Sequence, residues 1–176
     1  MAASPHTTTV DLTRAAEEAV EATLVGEGRA HVDKLRAVLT LHGLYEADGL
    51  ALSSTPAAAR LLHPSEWRAG RLLDEAMLLT TLSGALDAIA AGVLTVEQSS
   101  VVVTQLRQVA DLERRLQLWR RLVERLRRPE GAALPPARLK EVLQRWIAIL
   151  TRPMLSSAVS ARRRSGGWTT AAARTV

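Results

Sequence analysis

The chain has 176 residues, enough for one domain with its own core and too few for two ordinary ones, and it has no cysteine, which excludes disulfides, thiolate zinc sites and a cysteine nucleophile. Its net charge of +5 conceals a gradient: residues 1–103 carry 7 Lys/Arg against 13 Asp/Glu, residues 104–137 carry 8 against 4, and residues 138–176 carry 8 against 1. An acidic front and a basic back imply either a footprint for nucleic acid or two parts of the protein that attract each other.

Phenylalanine is absent and only Tyr45 and four tryptophans are aromatic, so the core must be aliphatic, and the richness in alanine, leucine and arginine favours helices. The expected fold class is all-α: an irregular multi-helix bundle of six or seven helices with disordered termini. Residues 1–9 read as a polar, disordered lead, residues 10–153 as a single helical domain and residues 154–176 as a basic flexible tail. No stretch approaches the roughly 18 uninterrupted apolar residues of a membrane span, and the N-terminus lacks the basic segment and apolar run of a signal peptide. A cytoplasmic location is therefore expected, with no membrane partner.

In chain order, a first helix is expected over Leu12–Leu24, closed by Gly26 and Gly28 as punctuation, and a second from Arg29 to Ala47 with Val32, Leu35, Val38, Leu39 and His42 along one side. Residues 48–64 read as a connection holding a short helix near 57–62, because Ser53-Ser-Thr-Pro56 breaks the pattern. Ser65 is a good N-cap for the next helix, whose apolar face would carry Trp67, Gly70, Leu72 or Leu73, and Met77, with Arg68, Arg71, Asp74 and Glu75 on the other face. Residues 84–98 form a joint: a short apolar helix up to Gly92, then Thr95-Val-Glu-Gln98 as a capping box. The helical pattern then runs for about thirty residues with a break expected near Val109–Leu112. Leu112, Leu116, Trp119, Leu122 or Val123, and Leu126 stripe the second half, with Asp111–Arg115 and Glu124–Arg128 as i,i+4 ion pairs. Residues 129–136 turn the chain, and a last helix opens at Pro136 with Leu139, Val142 or Leu143, Trp146 and Leu150 buried.

No catalytic, cofactor or metal residue is identified. His31 and His42 share a helix face but lie about three turns apart, too far to chelate one ion. Ser53, Ser54 and His63 have no nucleophile-elbow context, and Glu17, Glu18 and Glu21 read as a solvated face. The candidate nucleic-acid contacts are Arg114, Arg115, Arg121, Arg125, Arg128, Arg138, Arg145, Arg162, Arg163 and Arg164, in a phosphate-reading, sequence-independent mode. The alternative is a protein-interaction or self-association module in which Trp119, Trp146 and exposed leucines form the partner surface. The joint itself carries only Asp87 and Glu97 as charges, which suits an architectural centre better than a DNA-reading helix.

Three stretches resemble the actinobacterial domain-of-unknown-function family 222, the helical N-terminal domain of the mycobacterial thirteen-E-twelve repeat proteins. Residues 66–79, EWRAGRLLDEAMLL, are similar to the alanine- and leucine-rich helix of that family. Residues 82–98, LSGALDAIAAGVLTVEQ, resemble its Gly-x-Ile/Leu-Ser/Thr-x-x-Gln segment. Residues 134–143, LPPARLKEVL, with the Arg-Pro and basic run after them, are similar to its closing helix and arginine-rich exit. Ser83 departs from that pattern, which often has proline there, and Arg152 stands where aspartate is usual. Such proteins commonly continue into an HNH nuclease module, which needs histidines and usually an asparagine around a divalent metal. This chain has no asparagine and its last histidine is His63. The resemblance thus implies a non-nuclease partner of such systems or a truncated remnant of one, as from a mobile element.

Overall fold

Glycine at positions 26 and 28 does not end the first helix. The computed structural model, which describes residues 5–62, 65–128 and 134–151, has one helix, α1, from Pro5 to Ala47. It replaces the two helices expected here, and residues 5–9 are its first turns rather than part of a disordered lead; residues 1–4 lie outside the described residues. Proline suits a first turn, where its missing N–H has no partner to lose. The two glycines cost α1 about 1 kcal/mol each relative to alanine, and at Gly28 packing offsets this. A Cβ there would collide with the backbone carbonyl of Ile89, so Gly28 is where another helix crosses α1 at backbone distance.

After α1 the chain turns through Gly49 and a 3-10 turn, Ala51–Ser53, into α2 (Ser54–Leu62), α3 (Glu66–Thr81), α4 (Ala85–Ala90), α5 (Val96–Leu106), α6 (Leu112–Leu126) and α7 (Pro136–Thr151). Among the described residues there is no strand, and the expected all-α bundle is what forms. Pro56 falls in the first turn of α2 instead of breaking it, so that helix starts three residues earlier than expected. Its corner is fixed by Ser54, buried, whose Oγ donates to the Ala51 carbonyl at 2.7 Å and lies 2.9 Å from His42 Nδ1 on α1.

Helices α3 and α4 lie along α1, α2 packs on α1 and α3, α7 lies along α5, and α6 packs on α7. The shared core is aliphatic: Val32, Leu35, Leu79, Leu82, Ile89, Leu94, Val102, Leu106, Leu118, Leu122, Leu139 and Leu143 are fully buried. Each contributes on the order of 1.5–3 kcal/mol by leaving water. Ser65 caps α3 as expected, accepting from the Arg68 N–H. The buried face of α3 differs from the expected one. Ala69, Ala76, Leu78 and Leu79 are inside, while Trp67 and Met77 are exposed, because small alanines let α3 approach its neighbours closely and the bulky residues are left outside.

The joint forms as expected. Gly92 adopts φ +72 and ends α4; its N–H reaches the Ile89 carbonyl at 3.0 Å, and Leu94 N–H reaches Ala88 at 3.1 Å. A Cβ on Gly92 would sit 3.0 Å from Val25 Cγ2, so α1 holds both ends of this contact, Val25 against Gly92 and Gly28 against Ile89. The capping box of α5 is complete: Gln98 N–H donates to Thr95 Oγ1 at 3.2 Å and Thr95 N–H to Gln98 Oε1 at 2.9 Å. Gln98 Nε2 also donates to the Leu134 carbonyl at 2.8 Å, tying α5 to the entrance of α7. Trp119 Nε1 donates to the Ser83 carbonyl at 2.9 Å, tying α6 to the joint. The break after α5 falls where expected, with Asp111 capping α6 by accepting from Arg114 N–H at 3.0 Å.

Candidate nucleic-acid interface

Helix α6 buries Leu118, Trp119, Leu122 and Leu126, with Leu112 exposed and Leu116 half-buried, so the expected stripe is rotated slightly at its start. An arginine-rich row runs along the edge of that buried face. Arg121, Arg125 and Arg128 stand seven, eleven and fourteen positions after Arg114. At about 100° per residue these four fall within roughly 60° of one another, and at about 1.5 Å per residue they span about 21 Å. All four are exposed, Arg128 lying just beyond the C-cap Arg127. Glu124 borders this face without a bond to Arg128, so that expected ion pair does not form.

The stripe differs in how its members are held. Arg114 has only a long approach to Asp111, Nε to Oδ2 at 3.8 Å, both half exposed. Arg121 stacks over the ring of Trp146 on α7, 4.5 Å from its centroid, which fixes the guanidinium while its N–H groups stay at the surface. Arg125 and Arg128 are exposed and have no ion pair among the described residues, which leaves their donors to a ligand.

The remaining expected contacts separate from this face. Arg115 does not pair with Asp111. It turns back, Nη2 to the Val109 carbonyl at 2.8 Å and Nε at 3.3 Å, and satisfies a carbonyl in the turn between α5 and α6. Half-buried at the α5–α6 corner, it is a structural residue. On α7, Arg138 pairs with Glu141 at 2.7 Å and Arg145 is exposed without an ion pair. Arg162, Arg163 and Arg164, with the tail 154–176, lie outside the described residues, as do His63 and the turn at 129–133.

Two polar clusters elsewhere have side chains capable of catalysis. Glu75, expected on a solvated face, is nearly buried: its Oε1 accepts from His31 Nε2 at 3.0 Å and lies 3.1 Å from Ser99 Oγ, which is fully buried on α5. The spacing signal missed this because Glu75 is polar by type, and only its 44-residue-distant partner makes burial affordable. The order is histidine, carboxylate, serine. With the carboxylate in the middle, no imidazole reaches the serine to take its proton, so the arrangement is unlike a nucleophilic triad and serves to cross-link α1, α3 and α5. Ser54 with His42 does have the serine–imidazole contact, yet Ser54 is buried and its hydroxyl is spent on the Ala51 carbonyl. Among the described residues no group of three or more His, Asp or Glu could hold a metal ion, and no helix is long and apolar enough to cross a membrane.

Trp119 and Trp146 do not form a partner surface: both are buried, Trp119 within the core and Trp146 beneath Arg121. Their size and indole N–H are used inside the fold. The exposed apolar side chains are elsewhere, including Leu44, Leu61 and Leu62 beside a groove of about 420 Å³ between α1 and α2. Comparison with protein-family models, with curated proteins and with solved structures finds no match to this chain.

Proposed function

We propose that this protein is a non-catalytic helical module that associates with nucleic acid through the exposed face of α6. The observation that carries the reading is the alignment of Arg114, Arg121, Arg125 and Arg128 along one exposed flank of the helix about 21 Å long, beside the buried leucines. Guanidinium groups in such a row match successive backbone phosphates, with Arg121 preset by Trp146. Nothing on this face is shaped to read base edges, so binding is sequence-independent. The resemblance of residues 66–79, 82–98 and 134–143 to domain-of-unknown-function family 222, whose members commonly continue into an HNH nuclease module, supports a nucleic-acid setting.

The test is fluorescence anisotropy with a labelled duplex across a salt series. The expected affinity falls linearly on a log–log plot, and replacing Arg114, Arg125 and Arg128 by alanine lowers the slope by about 0.9 per arginine. Arg36→Ala on α1 leaves the slope unchanged. Absence of binding at low salt, or a slope indifferent to the α6 substitutions, would sink the reading.

A second expected result concerns Arg115. Arg115→Ala should destabilise the fold by about 1–2 kcal/mol, through the Val109 carbonyl it leaves unpaired, while changing the salt slope less than Arg125→Ala does. Urea denaturation and the same anisotropy assay measure the two effects separately.

A further inference from the structure

The first half of α1 stands out from the fold as an exposed arm. Every residue from 11 to 24 is exposed, Leu12, Val20 and Leu24 among them, and contact with the rest of the fold begins at Val25 and Gly28. Helices in proteins take most of their stability from a packed face, and this one extends about 21 Å into water over those fourteen residues. Its charge is one-sided. Asp11, Glu17, Glu18 and Glu21 face Arg14 alone within the arm, and Arg14 is held by Glu18 at 3.0 Å. Glu17 and Glu21, one turn apart, have no ion pair among the described residues. The α6 stripe is the complement: a row of arginines of about the same length, with Arg125 and Arg128 in no ion pair among the described residues.

We propose that the α1 arm docks on the α6 arginine face of a second copy of this chain, each protomer giving its arm to the other. Such an exchange is a two-fold, self-complementary interface in which each contact occurs twice. It places Glu17 and Glu21 of one arm against Arg125 and Arg128 of the facing α6, and it covers the arm's exposed side chains. The exchange thereby sets an acidic arm against a basic helix, one of the two readings that the charge gradient along the sequence allows. The pairing stands independently of nucleic-acid binding, and because both would use the same arginines, a second copy and a polyanion compete.

The experiment is sedimentation velocity of the full chain without nucleic acid, at low and raised salt. Expected is a dimer at low salt that dissociates as salt rises. Glu17→Lys with Glu21→Lys, or Arg125→Glu with Arg128→Glu, each yields monomer, with dissociation at least tenfold easier. Combining all four substitutions restores the dimer, because the charges are exchanged rather than lost. These positions are exposed, and circular dichroism verifies that each variant is folded. A wild-type monomer at low salt, a dimer unmoved by either double reversal, or a fourfold variant that stays monomeric would each overturn the proposal. The salt-slope assay of the α6 arginines is separate, so failure here leaves the nucleic-acid reading to its own test.

Discussion

Gly28→Ala is expected to destabilise the protein by roughly 3 kcal/mol, the upper end of the cost of overpacking, while Gly26→Ala two residues earlier stabilises it by about 0.5–1 kcal/mol. The two glycines have the same helical backbone and differ in what faces them. A methyl group at Gly26 meets nothing within 4 Å, so the substitution only removes conformational freedom from the unfolded chain. At Gly28 the methyl group meets the Ile89 carbonyl, and backbone cannot yield as a flexible side chain would. Relief would require α4 to lift from α1, and Gly92 from Val25 with it, exposing Ile89, which is fully buried. Urea denaturation of the two variants beside the wild type measures both signs at once. A Gly28→Ala midpoint within error of wild type would show that α1 and α4 do not approach at backbone distance.

The same pair shows why sequence spacing divides α1 into two helices. Glycine near the end of a periodic segment is ordinarily a stop, and the local pattern gives no means of distinguishing a stop from a crossing point. That distinction depends on Ile89, some sixty residues away. Where the chemistry is local, the sequence was legible: Ser65 before α3, Thr95 and Gln98 before α5, Asp111 in the break before α6, and Pro136 opening α7 all act within one turn. The aliphatic stripe of α7, Leu139, Leu143 and Trp146, was equally plain. Long-range partnership was not. Glu75 reads as a surface carboxylate until His31 and Ser99 are beside it, and Trp67 reads as core until the alanines of α3 take the close contact.

The candidate site was legible in the same uneven way. Spacing alone places Arg114, Arg121, Arg125 and Arg128 on one side of a helix, and the fold leaves that side exposed. Composition could not separate Arg115, which differs from Arg114 by one position and points to the Val109 carbonyl, nor reveal that Trp146 lies under Arg121. An arginine count therefore overstates the face, and an arginine's angle around α6 is the better guide.

Gln98→Ala is expected to cost about 3 kcal/mol, against about 1 kcal/mol for Thr95→Ala, although both belong to one capping box. Thr95 supplies a single acceptor to the Gln98 N–H at the start of α5, and water can replace part of it. Gln98 is buried, and its amide satisfies two groups at once: the Thr95 N–H behind it and the Leu134 carbonyl 36 residues ahead. Removing the side chain leaves both unpaired where water has poor access, and opens space between α5 and α7. Gln98→Glu separates the two halves of that role. The carboxylate still accepts from Thr95, so the cap survives, but its second oxygen faces the Leu134 carbonyl where a donor is needed. A charge is thereby added in a buried place with an acceptor against it. Gln98→Glu should consequently be at least as destabilising as Gln98→Ala at neutral pH. If it instead matches Thr95→Ala in a urea titration, the bond to Leu134 contributes little, and α7 is held on α5 by its leucines alone.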